Sequence, residues 1–435
     1  MLSLSPYTRF LSLLSFGFAL INHHATNAIT LRDAISSAYR TNDMLTSLAY
    51  SYKAHRELER ATISAYLPHI SFNAQVTRKN QDSFEPIRAA SWELIQPVVN
   101  LAIADQYFAA KESTEAVFYQ QLLLKDSVRL ATEDAYFQAQ KTVVQEPYII
   151  SLQGSSRRLL SQALQYFEVG FLDIPQKLAS EALYAQEHAH AENYYHHYHI
   201  AQAALLQQTG ININLHNLEP RTLQGFLRTA SNINLKPVCE YRDAAQKHRK
   251  ELDVLHHEMM QEHFLSRSAF HYYLPTINLF AQITHSAFDS QDANLAKIFG
   301  TASWQFGISM SWEFDGFSSL HTGHAAQAQA LAKCFEHENM KTVIQKQVDT
   351  TYYTLKIQQD NLNAAQKRYI QAQAEFARKQ QQHAIGELAR PEFEEAQTAL
   401  HQAESALQQQ ALEVEQAHTH LLAACGYPKN LEHQP

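Results

Sequence analysis

The sequence is short of the residues that organise many other folds, and each shortage narrows the reading. Its three cysteines, Cys239, Cys334 and Cys425, cannot all pair and show neither CxxC nor metal-ligand spacing. A disulfide framework is not expected, and the thiols read as structural. Eleven glycines in 435 residues are few for a loop-rich enzyme, whereas Ala and Gln fill long blocks, which favours long helices. After Ala28 no run of about eighteen apolar residues occurs, which excludes helical membrane spans. If the chain enters a membrane, it does so as a β-barrel. There is no basic surplus either: the net charge is -8 and the pI is near 6.3, leaving no footprint for nucleic acid.

Catalytic signatures are missing as well. There is no phosphate-binding loop, no Gly-x-Ser-x-Gly elbow and no dinucleotide fingerprint. The stretch from His257 to Gln261 misses the zinc-protease pattern, with Gln261 where the second histidine belongs. Twenty-four histidines invite a metal hypothesis, above all His188, His190, His196, His197 and His199. Metal ligands converge from one helix face or a tight turn, whereas these are spread around a helix among Tyr194, Tyr195 and Tyr198. No catalytic residue, metal or cofactor is assigned.

What is present begins at the N-terminus. Arg9 carries the one positive charge before an apolar stretch from Phe10 to Ile21, and small residues follow up to Ala28. The stretch is shorter than the ~20 residues a spanning helix needs, so residues 1–28 read as a secretory signal peptide. No cysteine lies near the expected cleavage site to take a lipid.

The remainder is a duplication. Tyr66-Leu67-Pro68 returns as Tyr273-Leu274-Pro275 at an offset of 207, and Ala90-Ser91-Trp92 returns as Ala302-Ser303-Trp304. Val169-Gly170 matches Ile385-Gly386, Pro175 matches Pro391 and Gly210 matches Gly426, all at an offset of 216. The growth in offset places the extra residues of the second copy in Thr284 to Thr301, a surface loop whose counterpart is Thr77 to Ala89. The expected units are residues 29–210, a connector over 211–237 holding Pro220, Gly225 and Pro237, residues 238–428, and a tail over 429–435.

Inside each unit the period changes. Trp304, Phe306, Ile308, Met310 and Trp312 alternate with Ser303, Gln305, Gly307, Ser309 and Ser311, the pattern of a strand between water and an oily phase. Trp304 and Trp312 would stand roughly 26 Å apart along such a strand, comparable to the ~25 Å band that aromatic girdles flank in outer-membrane barrels. Ile277, Leu279, Ala281 and Ile283 alternate likewise, with Phe280 as an exception. Further on, Leu355, Leu362, Tyr369 and Phe376 recur every seven residues, as do Phe393, Leu400, Leu407, Val414 and Leu421 after Gly386. These heptads, with alanines between them, predict two long helices turning at Gly386, and Val169 to Leu172 predicts the matching turn. A helix of about 60 residues is roughly 90 Å long, so its seams need partner helices.

An export signal, two halves, a Tyr-Leu-Pro entry to a strand pair, a Glu-Phe-Asp-Gly exit at Glu313 to Gly316 and a Val-Gly or Ile-Gly helix turn together resemble the TolC family of outer-membrane efflux ducts. The resemblance implies a mainly α fold with a membrane β-barrel: strands near 70–77, 91–98, 277–284 and 303–312, four from each protomer of a homotrimer, in a shared twelve-stranded barrel. Helical hairpins near 101–208 and 317–424 would form a periplasmic tunnel with tips near 170 and 386. It further implies an exit duct of a tripartite efflux or type I secretion system, in the outer membrane, working with a periplasmic adaptor and an inner-membrane pump or ABC exporter. Carboxylates six and nine residues after the second tip glycine narrow the mouth in that family, which points to Glu392 and Glu395. His383 stands where the family has an aromatic and Leu388 where it has an arginine. Val169, Gly170, Phe171, Leu172, Ile385, Gly386 and Leu388 would meet the adaptor, and Trp304, Phe306, Ile308, Met310 and Trp312 would meet lipid. The competing reading is a periplasmic coiled-coil adaptor or scaffold without a pore, which the heptads alone would fit. Glu392, Glu394 and Glu395 suit a helix start nearly as well, since negative charge is favourable there.

Overall fold

The computed structural model describes residues 28–77, 87–287 and 303–427. The expected signal peptide, both strand-joining loops in large part and the tail lie outside the described residues. The first helix starts at a capping box. Thr30 Oγ1 accepts the Asp33 N–H at 3.2 Å and the Asp33 carboxylate accepts the Thr30 N–H at 3.2 Å, which starts α1 (Leu31–Thr41). Asn42 then caps α2 (Asp43–Ser64) by accepting the Leu45 N–H. There follow β1 (His69–Thr77), β2 (Ile87–Val99), α3 (Leu101–Glu168) and α4 (Ile174–Thr209). The connector carries a 3-10 turn, Leu215–Asn217, and α5 (Leu223–Ser231). The second unit runs α6 (Val238–His248), α7 (Lys250–His271), β3 (Thr276–Ala287), β4 (Ser303–Ser311), α8 (Ser318–Ala384) and α9 (Arg390–Ala424).

The duplication extends to element ends. Both limits of α1 and of α2 map onto those of α6 and α7 at one offset of 207. The strands form one antiparallel meander in the order β1-β2-β3-β4, so the β2–β3 pairing joins the two units. The long helices lie side by side. At the strand end α2, α3, α7 and α8 lie in a row, and at the far end α4, α3, α9 and α8, leaving α3 and α9 central and α4 and α8 at the margins.

Burial is concentrated in the C-terminal half of α9. Leu407, Leu412, Val414 and Leu421 pack with Ile344, Val348 and Leu355 of α8, Phe226 and Ala230 of α5, and Tyr241 and Ala245 of α6. Each fully buried leucine contributes about 1.5 to 3 kcal/mol. A second cluster joins Tyr136 and Ala139 of α3 to Leu205 of α4 and to Leu215 and Leu218 of the connector. Arg221 fastens the connector to α9, giving both of its terminal nitrogens to the Glu415 carboxylate at 2.8 Å.

Where each return helix ends it meets the junction of the two short helices. Gly210 (φ 68°) sits beside Thr41, and the Ser37 and Thr41 hydroxyls donate to Thr209 O at 2.8 and 3.1 Å. Gly426 (φ 76°) sits against the backbone of His248 and Arg249. There the Arg249 guanidinium donates to Ala424 O at 3.2 Å, Gln347 at 3.0 Å and Glu251 at 2.8 Å, while Lys250 reaches Gly426 O and Asp126.

Candidate functional site: the sheet faces and the helix tips

Cross-strand register decides which side chains share a face, because opposite residues of an antiparallel pair point the same way. One row reads Phe72, Trp92, Ile283, Trp304; the next reads Ile70, Leu94, Ala281, Phe306; the third continues through Leu279 and Ile308, and the fourth through Ile277 and Met310. Apart from Gln96, opposite Leu279, these four rows are apolar and uncovered in the single chain: Trp304, Phe306, Ile308, Met310 and Trp312 are each 70 to 75% exposed. Trp304 stacks on Phe306 with ring centres 5.8 Å apart, and Phe72 packs on Trp92 at 4.7 Å. Trp312 lies one residue past the end of β4, where its indole N–H donates to Tyr273 O at 3.0 Å.

The opposite face is polar. Asn73, Ser91, Thr284 and Ser303 form one row, and Ser71, Glu93, Gln282 and Gln305 the next, in which Gln305 donates to Gln282. Phe280, the break in the alternation, lies opposite Gly307, and its ring occupies the space a β-carbon there would need, 3.1 Å away. The bulk missing at one position is supplied by its partner.

Both Tyr-Leu-Pro tyrosines tie the sheet to the helices. Tyr66 donates to Asn100 O, the residue capping α3. Tyr273 donates to Asp315 at 2.9 Å and accepts the Leu320 N–H at 3.0 Å, while Asp315 also accepts the Ser319 N–H. The repeated motif was visible in the sequence, but its partners, up to 47 residues away, were not.

At the far end the two tips are built alike. In the first, Phe171 N–H donates to Tyr166 O at 2.8 Å and Gly170 N–H to Phe167 O at 3.1 Å; in the second, Glu387 donates to Gln382 O at 3.0 Å and Gly386 to His383 O at 3.1 Å. This helix stop needs a left-handed residue, supplied by Gly170 (φ 79°) and Gly386 (φ 78°). It leaves Val169, Phe171 and Ile385 exposed and Leu172 and Leu388 half-buried. His383 stacks on Phe393 with centres 4.9 Å apart, and its Nδ1 lies 3.0 Å from Leu388 O.

Glu392 and Glu395 are exposed, with Glu392 in the first turn of α9. Between them Glu394 is the engaged carboxylate, accepting from Arg158 of α3 at 2.8 Å and from Arg390 at 3.0 Å. This link between the hairpins went unread in the sequence because its partners are 236 residues apart. Small and polar side chains make up the rest of the seam here, with Ser155, Ser156, Ala163 and Ala396 buried and Ser151 beside Thr398. Among the described residues no group of three or more histidine, cysteine or acidic side chains converges as a metal site, and His190, His196, His197 and His199 are exposed around α4.

Charge is managed mostly away from these surfaces. Burial pushes the Glu133 carboxyl up despite its bond to Arg129, and Tyr427 donates to it at 3.0 Å. Its hydrogen bond to Asp134, 2.7 Å long, raises His420 against the opposing effect of burial. Burial pushes the Cys425 thiol up to about 12, against the opposing charge of Arg249.

Comparison with known proteins places these features together. Residues 242–427 match the family model described as outer membrane efflux protein. No curated protein matches the chain. Among solved structures it is similar to the CmeC outer membrane channel of Campylobacter jejuni, at 15% identity and a TM-score of 0.75, over 95% of this chain and 91% of that one. It is similar to the outer membrane protein VceC of Vibrio cholerae at 14% identity and 0.72, over 92% and 97%. It also resembles the open state of the MtrE outer membrane channel of Neisseria gonorrhoeae at 16% identity and 0.70, over 91% and 88%.

Proposed function

The chain carries the domain of the outer membrane efflux proteins, a family of channels and not of enzymes, within the fold of the TolC-type ducts, and from that premise we propose that it is the outer-membrane exit duct of a tripartite efflux or type I secretion system. Three protomers close one barrel. The edges of the sheet, β1 and β4, each present an unpaired row of backbone groups, and pairing β4 of one protomer with β1 of the next satisfies both. Twelve strands then surround a lumen, with the tryptophan-bearing face on lipid and the polar face on water. The observation that carries this reading is the register itself, which gathers the exposed large apolar side chains of four strands onto one face.

Below the barrel the marginal helices α4 and α8 carry exposed apolar residues, among them Leu183, Ile200, Phe335, Ile357 and Ile370, which suits packing against neighbouring protomers as the tunnel closes. The exposed tips, Val169 to Leu172 and Ile385 to Leu388, are the docking points for a periplasmic adaptor, through which an inner-membrane pump delivers cargo. Glu392 and Glu395 of three protomers form carboxylate rings at the mouth. Cell fractionation tests the reading. A heat-sensitive oligomer in the outer membrane that conducts ions in planar bilayers is the expected result, and a soluble periplasmic monomer would refute it.

A further inference from the structure

The polar face of the sheet contains one band of different character. Beside the Ser71, Glu93, Gln282, Gln305 row lies a row reading His69, Ile95, Phe280, Gly307. Its middle is an aliphatic and an aromatic side chain, both half-buried, and the absent side chain of Gly307 lets the Phe280 ring lie across two strands. Glu93 and Ile95 are two residues apart on one strand and share this face, a spacing of roughly 7 Å. Phe280 lies directly across from Ile95, so the carboxylate and the ring are diagonal neighbours. Among the described residues Glu93 is the only side chain of this face with a formal charge, and no basic group there forms an ion pair with it.

An unpaired carboxylate beside an aromatic and an aliphatic surface attracts one chemical class. A bulky organic cation lays its apolar body on Ile95 and Phe280 and brings its charge to Glu93. An anion with the same body meets the same apolar surface and is repelled. We propose that Glu93, Ile95 and Phe280 of each protomer form a transit site that favours bulky organic cations over anions of equal shape. The site rests on the reading that this face lines the lumen of the duct.

The test uses the full-length protein in planar bilayers with probes of one shape and two charges, (2-naphthyl)trimethylammonium and naphthalene-2-sulfonate, and with tetramethylammonium as charge without the rings. All recordings use the Glu392→Gln, Glu395→Gln background, so that the mouth carboxylates do not contribute. The naphthyl cation should block at concentrations about fivefold below the anion, the ratio that one exposed charge interaction supports, and tetramethylammonium should block at neither concentration. Glu93→Gln should bring the two naphthyl ions together, whereas Phe280→Ser should weaken both and leave the gap between them. A conducting channel blocked equally by both ions, or one whose preference survives Glu93→Gln, overturns this inference alone. Protein that inserts but conducts nothing overturns the duct reading, and this inference with it.

Discussion

Replacing Gly426 by alanine places one methyl group where two costs add. The residue has φ 76°, a left-handed conformation that costs an L side chain about 1 to 2 kcal/mol. The new β-carbon would also lie 2.5 Å from His248 O and 2.7 Å from His248 C, backbone atoms that cannot rotate away. Overpacking of that kind costs about 1 to 3 kcal/mol, so the change should destabilise by about 2 to 5 kcal/mol. Gly386 provides the control, since it has φ 78° with nothing within 4 Å of its would-be β-carbon, and Gly386→Ala should cost only the conformational part. Gly210 lies between them, facing the Thr41 side chain at 3.0 Å. Thermal unfolding of the purified protein in detergent, followed by circular dichroism, should therefore show Gly426→Ala lowering the midpoint at least twice as far as Gly386→Ala. Equal shifts would show that the contact with His248 contributes nothing and that conformation alone sets the cost.

Ile308→Arg should hinder assembly in the outer membrane more than Ser309→Arg, because a charge on the lipid face costs roughly 2 to 4 kcal/mol near the midplane; equal trimer yields would refute the assigned faces. The pair Glu392→Gln and Glu395→Gln should weaken cation selectivity and block by divalent ions in bilayer recordings without changing trimer yield, and unchanged selectivity would return both residues to favouring a helix start. His420, raised by Asp134, adds stability below the ordinary histidine value that fades as pH rises through its higher folded value. His420→Gln should accordingly flatten the fall in melting temperature between about pH 6 and about pH 8, and a parallel curve would sink that assignment.

Periodicity carried the fold only where a side chain's role depends on its own element. The heptad positions Leu355, Leu407, Val414 and Leu421 are fully buried, whereas Tyr369, Phe376, Phe393 and Leu400, nearer the tip, are half-buried because fewer elements cover them there. The alternation in β4 picked out the exposed apolar set, but Phe280 stayed an exception until register set it opposite Gly307, since pairing between strands leaves no mark on either strand alone. The connector hid α5 behind Pro220, Gly225 and Pro237. Gly225 falls in its first turn, where its N–H goes to the Thr222 hydroxyl and a glycine costs little, and Phe226 and Ala230 are buried just after. Near the second tip, counting from Gly386 picks out Glu392 and Glu395, whereas Glu394, read only as favouring a helix start, takes its partner Arg158 from the other unit. Tertiary ion pairs of that span have no local signature.

The two joints at which return helices meet short helices have the same path and unequal fastening. The second is bound by a guanidinium and an ammonium that between them reach Glu251, Gln347, Ala424 O, Gly426 O and Asp126, and the first by two hydroxyls on one carbonyl. Loads applied at the tips act through rods roughly 100 Å long, the length of α3 and α8, so small rotations at a joint become large displacements at the mouth. In the proposed trimer, six hairpins of one shape would then behave as three stiff ribs alternating with three more compliant ones. Bending would gather at the hydroxyl-fastened joints, so that the proposed duct would yield along three staves while the other three keep its bore.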